Sequence, residues 1–453
     1  MNRRQFLQAA AALPLAAARA SKPNIIVIIA DDLGYSDLGA YGGKEASTPH
    51  IDSLARNGVR FTNAYVSGPY CSPTRAGLLT GRYQQRFGHE FNAHTSKVFF
   101  DAGGTTENLG LPVTETTIAD RMRAAGYATG AIGKWHLGAP PKFHPNKRGF
   151  DEYVGFLGGA REYFAAGKNG VGPVEIERNG APVSWDGYVT DLFGKEASAF
   201  VDRHQKHPFF LYVAFNAVHT PMQAEDQRLK KHAHIADTRR RTYVAMLESM
   251  DDAVGAILAK VKDAGLEEDT LIFFLSDNGG PTNKYAVNGS INRPLRGSKG
   301  DTWEGGIRVP MMAQWKGRLP AGTEYHRPVI QLDISATALS LGVRRIPREW
   351  KLDGTDLMPY LSGKQQNDPH RALYWRFGKL MAIRMGDWKA VRTWDNKQPE
   401  LYHLAKDIGE ENNLSSSEPV RLERLMKEWR AWDKTLVAPA WPEPSPSPPP
   451  VQK

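Results

Sequence analysis

Asn24-Ile25-Ile26-Val27-Ile28-Ile29-Ala30-Asp31-Asp32 is the stretch whose reading sets the architecture. Seven residues without a charge, mostly β-branched, lack the polar alternation of a strand with one wet face. Such a run suits a central strand of a parallel sheet, covered on both sides. Similar runs recur at 128–132, 209–215 and 270–275, and helical patterns lie between them at 50–57, 116–125, 188–204 and 241–264. In the last of these Met246, Leu247, Met250, Val254, Ile257, Leu258 and Val261 form one apolar stripe, which reads as core. Strands alternating with helices predict an α/β fold, a doubly wound and mostly parallel sheet flanked by helices, with ligands gathered at the carboxyl ends of the strands. Beyond a helix at 333–341 and a turn-rich connector at 354–363 the texture changes. Short strands at 372–377, 380–385, 388–394 and 401–404, then a helix at 419–436, predict a smaller C-terminal antiparallel sheet plus one helix over 366–437. The proline-rich stretch 438–453 reads as a disordered tail.

Polar residues follow the predicted central strands. Asp31 and Asp32 come after the first, Asp277 and Asn278 after the run 270–275. Three carboxylates and an amide, with no histidine or thiol in either pair, make a hard oxygen site suited to calcium or magnesium. Each pair alone could instead cap a helix or form a turn; two pairs at strand ends of one sheet favour a metal. Lys134 and His136 follow the strand at 128–132, where extended geometry would place both on one side. His219 follows the strand at 209–215, and Lys299 lies in Leu295-Arg296-Gly297-Ser298-Lys299-Gly300.

The chain has one cysteine, so Cys71 cannot form an internal disulfide. It stands in Tyr70-Cys71-Ser72-Pro73-Thr74-Arg75-Ala76-Gly77-Leu78-Leu79-Thr80-Gly81-Arg82. Proline is tolerated in the first turn of a helix, and Gly81 is a natural stop, so Cys71 is predicted at a helix N-terminus. Free amides and the macrodipole favour an anion there, and Arg75 falls one turn on along the same face. The alternative is an inert buried thiol beside a salt-bridged arginine. A phosphatase-type thiolate loop needs a longer spacing than the three residues that separate Cys71 from Arg75.

This run resembles the signature of type I sulfatases, C-x-P-x-R followed by a short helix and T-G-R. The resemblance extends from Asn24 to about Leu414. It takes in Arg148-Gly149-Phe150-Asp151, Thr302-Trp303-Glu304-Gly305-Gly306-Ile307-Arg308-Val309-Pro310 and Gly386-Asp387-Trp388-Lys389. The stretch Gly81 to Glu90 is similar to the arylsulfatase A and N-acetylgalactosamine-6-sulfatase branch. The resemblance implies a catalytic domain over 21–365 and sulfuric ester hydrolysis on sulfated carbohydrates or aryl sulfates. It implies that a formylglycine-generating enzyme oxidises Cys71 to formylglycine, hydrated to a geminal diol. By the same resemblance Asp31, Asp32, Asp277 and Asn278, with an oxygen of modified Cys71, bind calcium in preference to magnesium. Arg75 holds the diol, and Lys134, His136, His219 and Lys299 surround the sulfate. One hydroxyl attacks sulfur, His219 with Lys299 protonates the departing alcohol, and the second hydroxyl, deprotonated through His136, expels sulfate. A phosphate or phosphonate monoesterase of the same superfamily is the enzymatic alternative. Alkaline phosphatase-like members hold a second metal with histidines, where this chain carries lysines. A non-catalytic sulfated-glycan-binding protein is the other alternative, and it requires an intact thiol. Packing roles suit His89, His94 and Trp135.

The N-terminus carries Arg3-Arg4, an alanine- and leucine-rich stretch at 7–18 and then Ala18-Arg19-Ala20, a signal-peptide pattern over 1–20. Paired arginines before Phe6-Leu7 resemble a twin-arginine signal, which implies export of folded protein by the twin-arginine translocase to the periplasm or beyond. Without those 20 residues the formal charge falls from +9 to +6, from 55 basic and 49 acidic residues. This balance is mild and no nucleic-acid motif accompanies it. No apolar run is long enough for stable membrane insertion. N-terminal sequencing of exported protein should begin near Ser21; a chain still starting at Met1 would contradict a cleaved signal.

Overall fold

The computed structural model describes residues 22–93, 106–165, 175–283, 286–343, 345–394 and 397–443. The signal region and His94 lie outside them. Its main feature is a ten-stranded sheet. From edge to edge the strands are Thr323–Tyr325, Val59–Phe61, Met311–Gln314, Thr270–Ser276, Asn24–Ala30, Phe209–Ala214, Ala128–Lys134, Glu152–Phe156, Ile176–Arg178 and Ala181–Val183. The five from Thr270–Ser276 to Glu152–Phe156 are mutually parallel, and antiparallel strands join at both flanks. The apolar run at 24–30 is divided between two cores as its composition requires. Ile26 and Ile28 pack with the helices Val189–His204 and Thr238–Asp263, and Ile25, Val27 and Ile29 pack with the helices Cys71–Thr80, Ile118–Ala124 and Leu332–Gly342. Each isoleucine fully removed from water contributes about 1.5–3 kcal/mol.

Register brings the ends of these strands level. Ala30 pairs with Ser276, Ile29 with Ala214, and Gly133 with Ala214. Asp31, Asp277, Lys134 and the loop after Phe215 therefore emerge together at one end of the sheet. Lys134 is the last residue of its strand, whereas the sequence placed it just beyond.

The C-terminal sheet runs Leu373–Phe377, Leu380–Met385, Trp388–Arg392 and Glu400–His403, antiparallel throughout, and the helix Pro419–Asp433 covers it through Leu425, Met426, Trp429 and Trp432. The expectation of a free tail from residue 438 needs correcting over 438–443. Ala440 N–H donates to Gly88 O at 2.8 Å, Trp441 Nε1 donates to Asn92 O at 3.1 Å, and the Trp441 ring lies edge-on to His89. The apolar area and indole N–H of Trp441 outweigh the proline-rich composition. Residues 444–453 lie outside the described chain.

The two sheets are fastened by buried charge. Lys389 Nζ lies 2.9 Å from Glu304 Oε1 and 2.8 Å from Glu410 Oε1, all three side chains fully buried. Tyr65 OH and Arg308 also bond to Glu304, and Trp375 Nε1 donates to Val66 O at 2.7 Å. Removing the cation would leave two buried carboxylates with too little compensation. Lys389→Ala should therefore cost about 3–5 kcal/mol in urea unfolding; a loss below about 1 kcal/mol would show that the cluster does not fasten the sheets.

Candidate active site

Cys71 opens the helix Cys71–Thr80, with Tyr70 in extended conformation before it and Gly81 at φ 68° closing it. The helix carries Arg75 under the strand ends. Arg75 Nη1 donates to Lys134 O at 3.1 Å, and Nε and Nη2 both reach Asp277 Oδ2, at 3.1 and 2.8 Å. Cys71 Sγ–H donates to Asp31 Oδ1 at 3.3 Å and accepts from Lys299 Nζ at 3.3 Å. Lys134 Nζ bonds to Asp31 Oδ2, and Lys299 Nζ lies 2.7 Å from Asp32 Oδ1. His219 Nε2 lies 3.6 Å from Asp32 Oδ2, while its Nδ1 contacts Thr220 O at 2.6 Å. A carbonyl can only accept, so that contact fixes the proton on Nδ1 and leaves Nε2 facing the acids. Every site residue expected from the sequence is thus in one cluster, His136 by a different route.

His136 is not extended. It adopts φ 56°, in the left-handed region, and Asp32 does so at φ 62°. Such conformations cost roughly 1–3 kcal/mol and survive only where surrounding bonds enforce them. At His136 those bonds are N–H to Leu157 O at 3.1 Å and the carbonyl accepting from Ser72 Oγ at 2.7 Å. The turn, and not strand alternation, brings the ring towards Lys134, Arg75 and Lys299. Those cations reinforce burial in lowering its basicity. His136 Nδ1 is buried without a hydrogen-bond partner.

Burial, then Asp277 and Asp31, push the Cys71 thiol well above its usual range, so the unmodified side chain is a thiol. Burial also raises Asp31, but Lys134, His219 and Arg75 outweigh it and hold the acid below the ordinary carboxylate value. His219 is lowered, first by burial and then by Lys299 and Lys134, against the pull of Asp31 and Asp32.

A metal fits the donors present. Asp31, Asp32, Cys71 and His219 each offer a ligand atom within 4.8 Å of one another. Asn278 donates from Nδ2 to Asp32 Oδ1 at 2.6 Å, yet its Oδ1 is buried with no hydrogen-bond partner among the described residues. An orphaned amide oxygen beside three carboxylates is what a hard cation would satisfy. Asp277 borders this set, with Oδ2 held by Arg75 and Oδ1 accepting from Asp32 N–H at 3.3 Å.

Sequence reasoning left several supporting residues unnamed. Asn288 Nδ2 ties Asp32 O to Val218 O at 3.1 and 2.9 Å, joining two of the loops. Ser72 Oγ bridges His89 Nε2, at 2.6 Å, and His136 O. The Tyr70 ring stacks on Phe377 at 5.1 Å, placing the C-terminal sheet beside Cys71. No motif marks Asn288 or Phe377; His89, assigned to packing, is indeed buried but also holds Ser72. Trp135 is buried, with its indole N–H on Phe143 O.

The Sulfatase family model matches residues 23–342 and the N-sulphoglucosamine sulphohydrolase C-terminal model residues 299–430. The chain belongs to the sulfatase family and is a sulfuric ester hydrolase. It is 33% identical to N-acetylgalactosamine-6-sulfatase of Sus scrofa over 89% of this chain and 84% of that protein. The solved structure of Ps i-CgsB in complex with k-i-k-neocarrahexaose aligns with a TM-score of 0.85 at 38% identity, covering 93% of this chain and 95% of that one. PsFucS1 sulfatase from Pseudoalteromonas sp. aligns with a TM-score of 0.80 at 25% identity, over 92% and 91%. Among the described residues no helix is long and apolar enough to cross a membrane.

A Cβ added at Gly159 would lie 2.5 Å from His136 Nε2. Gly159→Ala should displace the ring and lower hydrolysis of an aryl sulfate on the order of 10²-fold while the thermal midpoint stays near wild type. Unchanged turnover would remove His136 from the working site.

Proposed function

We propose that this sulfatase hydrolyses sulfate monoesters on sulfated carbohydrates, using formylglycine made from Cys71 and a calcium ion held by Asp31, Asp32, Asp277, Asn278 and the modified side chain. The observation that carries this reading is the position of Cys71, 3.3 Å from both a metal-type carboxylate and the Lys299 ammonium, on a helix whose Arg75 reaches Asp277. The carbohydrate class is supported by the hexasaccharide complex of one relative and the amino-sugar sulfate in the name of another.

Formylglycine supplies a hydrated aldehyde as nucleophile, and calcium supplies positive charge that lets it approach an anionic ester. The other groups bind and move protons. Lys134, Lys299 and Arg75 neutralise sulfate oxygens from fixed positions, so little reorganisation accompanies the rise of charge at the leaving oxygen. His219, with Nδ1–H held by Thr220 O, turns Nε2 toward the reacting group; its lowered basicity makes a proton carried there easy to give up to the departing alcohol oxygen, with Lys299 beside it. His136 Nδ1 is free to take the proton whose loss resets the side chain at 71. Calcium suits this all-oxygen, carboxylate-rich set, with Asp31 and Asp32 on one loop and Asp277 with Asn278 on another, better than magnesium, which keeps several waters and few carboxylates.

Cys71 is 1% exposed in the folded enzyme. A maturation enzyme would have to act on it before folding closes the site. Export of the folded chain by the Arg3-Arg4 signal fits that order, with modification in the cytoplasm and work in the periplasm or outside the cell. We assign the catalytic domain to residues 21–365 and the C-terminal subdomain to 366–437.

Cys71→Ser should leave the unfolding midpoint close to wild type and abolish multiple turnover, because serine carries no second hydroxyl to expel sulfate. Cycling at the wild-type rate would contradict the formylglycine mechanism. Prolonged chelation should remove activity, and added calcium should restore it; activity that survives complete removal of the ion would exclude a metal role.

A further inference from the structure

The site's opening is marked by the residues there that keep some solvent contact, namely Tyr70, His136, His219 and Lys299. Tyr70 stacks on Phe377 at 5.1 Å, and Lys299 Nζ lies 5.6 Å from the Tyr70 ring centre. One end of the C-terminal sheet therefore borders that opening. This end holds the turn between Leu373–Phe377 and Leu380–Met385 and the exit of the strand Trp388–Arg392. Thr302, three residues after Lys299, donates from Oγ1 to both Met381 O and Arg392 O at 3.4 Å, so the sheet end is bonded to the Lys299 loop itself.

Three side chains at this end make no ion pair among the described residues. Trp394 is 53% exposed, rare for an indole among the described residues, and lies two residues past Arg392, within about 7 Å of it along the chain. Arg392 uses Nε on Lys379 O at 3.1 Å and makes no ion pair among the described residues. Lys379 is exposed; its charge reaches Glu443, without an ion pair between them. The contrast is the opposite end of the same sheet. There a groove of about 560 Å³ is lined by Arg371, Trp388 and Arg421, but Arg371 is taken by Glu428 and Arg421 covers the Trp388 ring at 4.1 Å.

We propose that Trp394, Arg392 and Lys379 form a flanking subsite for a sulfated oligosaccharide, one that binds the sugar next to the residue whose ester is cleaved. This rests on the carbohydrate reading above and deepens it. An exposed indole offers a flat apolar face to the C–H side of a sugar ring at little entropic cost. Two cations at the same sheet end, neither in an ion pair among the described residues, suit a second sulfate or a carboxylate on the same chain. A 4-nitrophenyl sulfate carries no neighbouring sugar to place at this corner, so the subsite acts through the length of the substrate.

The test compares kcat/KM on a defined sulfated oligosaccharide with kcat/KM on 4-nitrophenyl sulfate. In Trp394→Ala the ratio of the two should fall about three- to tenfold, the size of an aromatic contact. In the double variant Arg392→Gln, Lys379→Gln the oligosaccharide KM should rise and lose part of its dependence on salt. An unaltered ratio in both variants, with the wild type active on the oligosaccharide, overturns the subsite and leaves the carbohydrate reading intact. A wild type that cleaves the aryl ester but none of a panel of sulfated oligosaccharides overturns both.

Discussion

Balanced charge in a water-poor site is the constraint on which the structure depends. Asp31, Asp32 and Asp277 are fully buried, and each meets a cation, Lys134, Lys299 or Arg75. Three positive charges against three negative ones offset much of the desolvation penalty of packing the strand ends tightly. The balance also defines the chemistry. Were a dication to engage the acids, the lysines and the arginine would be surplus positive charge facing one point, which an anionic group could compensate. A site that favours an anionic ester such as a sulfate over a neutral one follows from that count.

Geometry makes the balance reproducible. The parallel register sets Ala30, Ser276, Ala214 and Gly133 in one layer, so four loops leave the sheet together. Two left-handed residues, Asp32 and His136, turn the chain back over that layer. The helix Cys71–Thr80 then inserts Arg75 from outside the sheet, and its bond to Lys134 O locks the helix against a strand end. Strain at two positions is offset by hydrogen bonds that also aim the functional groups.

Much of this was legible in the residues, for identifiable reasons. The run 24–30 betrays a doubly covered strand because its composition leaves no wet face, and paired acids directly after such a strand have few structural uses. The Cys71 run announced both its helix and its arginine through Pro73 and Gly81. His136 was placed by the wrong geometry, since a single residue in a left-handed turn leaves no periodic signal. Trp441 was hidden by the prolines around it. Tertiary partners such as Asn288 and Phe377 were invisible because they act across distances of tens or hundreds of residues, where no local pattern connects the two ends.

The C-terminal sheet belongs to the same design. Lys389 ties it to Glu304, Thr302 ties it to the Lys299 loop, and Tyr70 stacks on its edge. In the proposed enzyme a converted cysteine and a divalent ion meet among those charges. A high-resolution crystal structure of the active enzyme decides whether they do. The expected result is an oxygen-bearing side chain at position 71 and an ion about 2.3–2.6 Å from oxygens of Asp31, Asp32 and Asn278. An intact thiol at 71 in fully active crystals, with no ion among those oxygens, would contradict it.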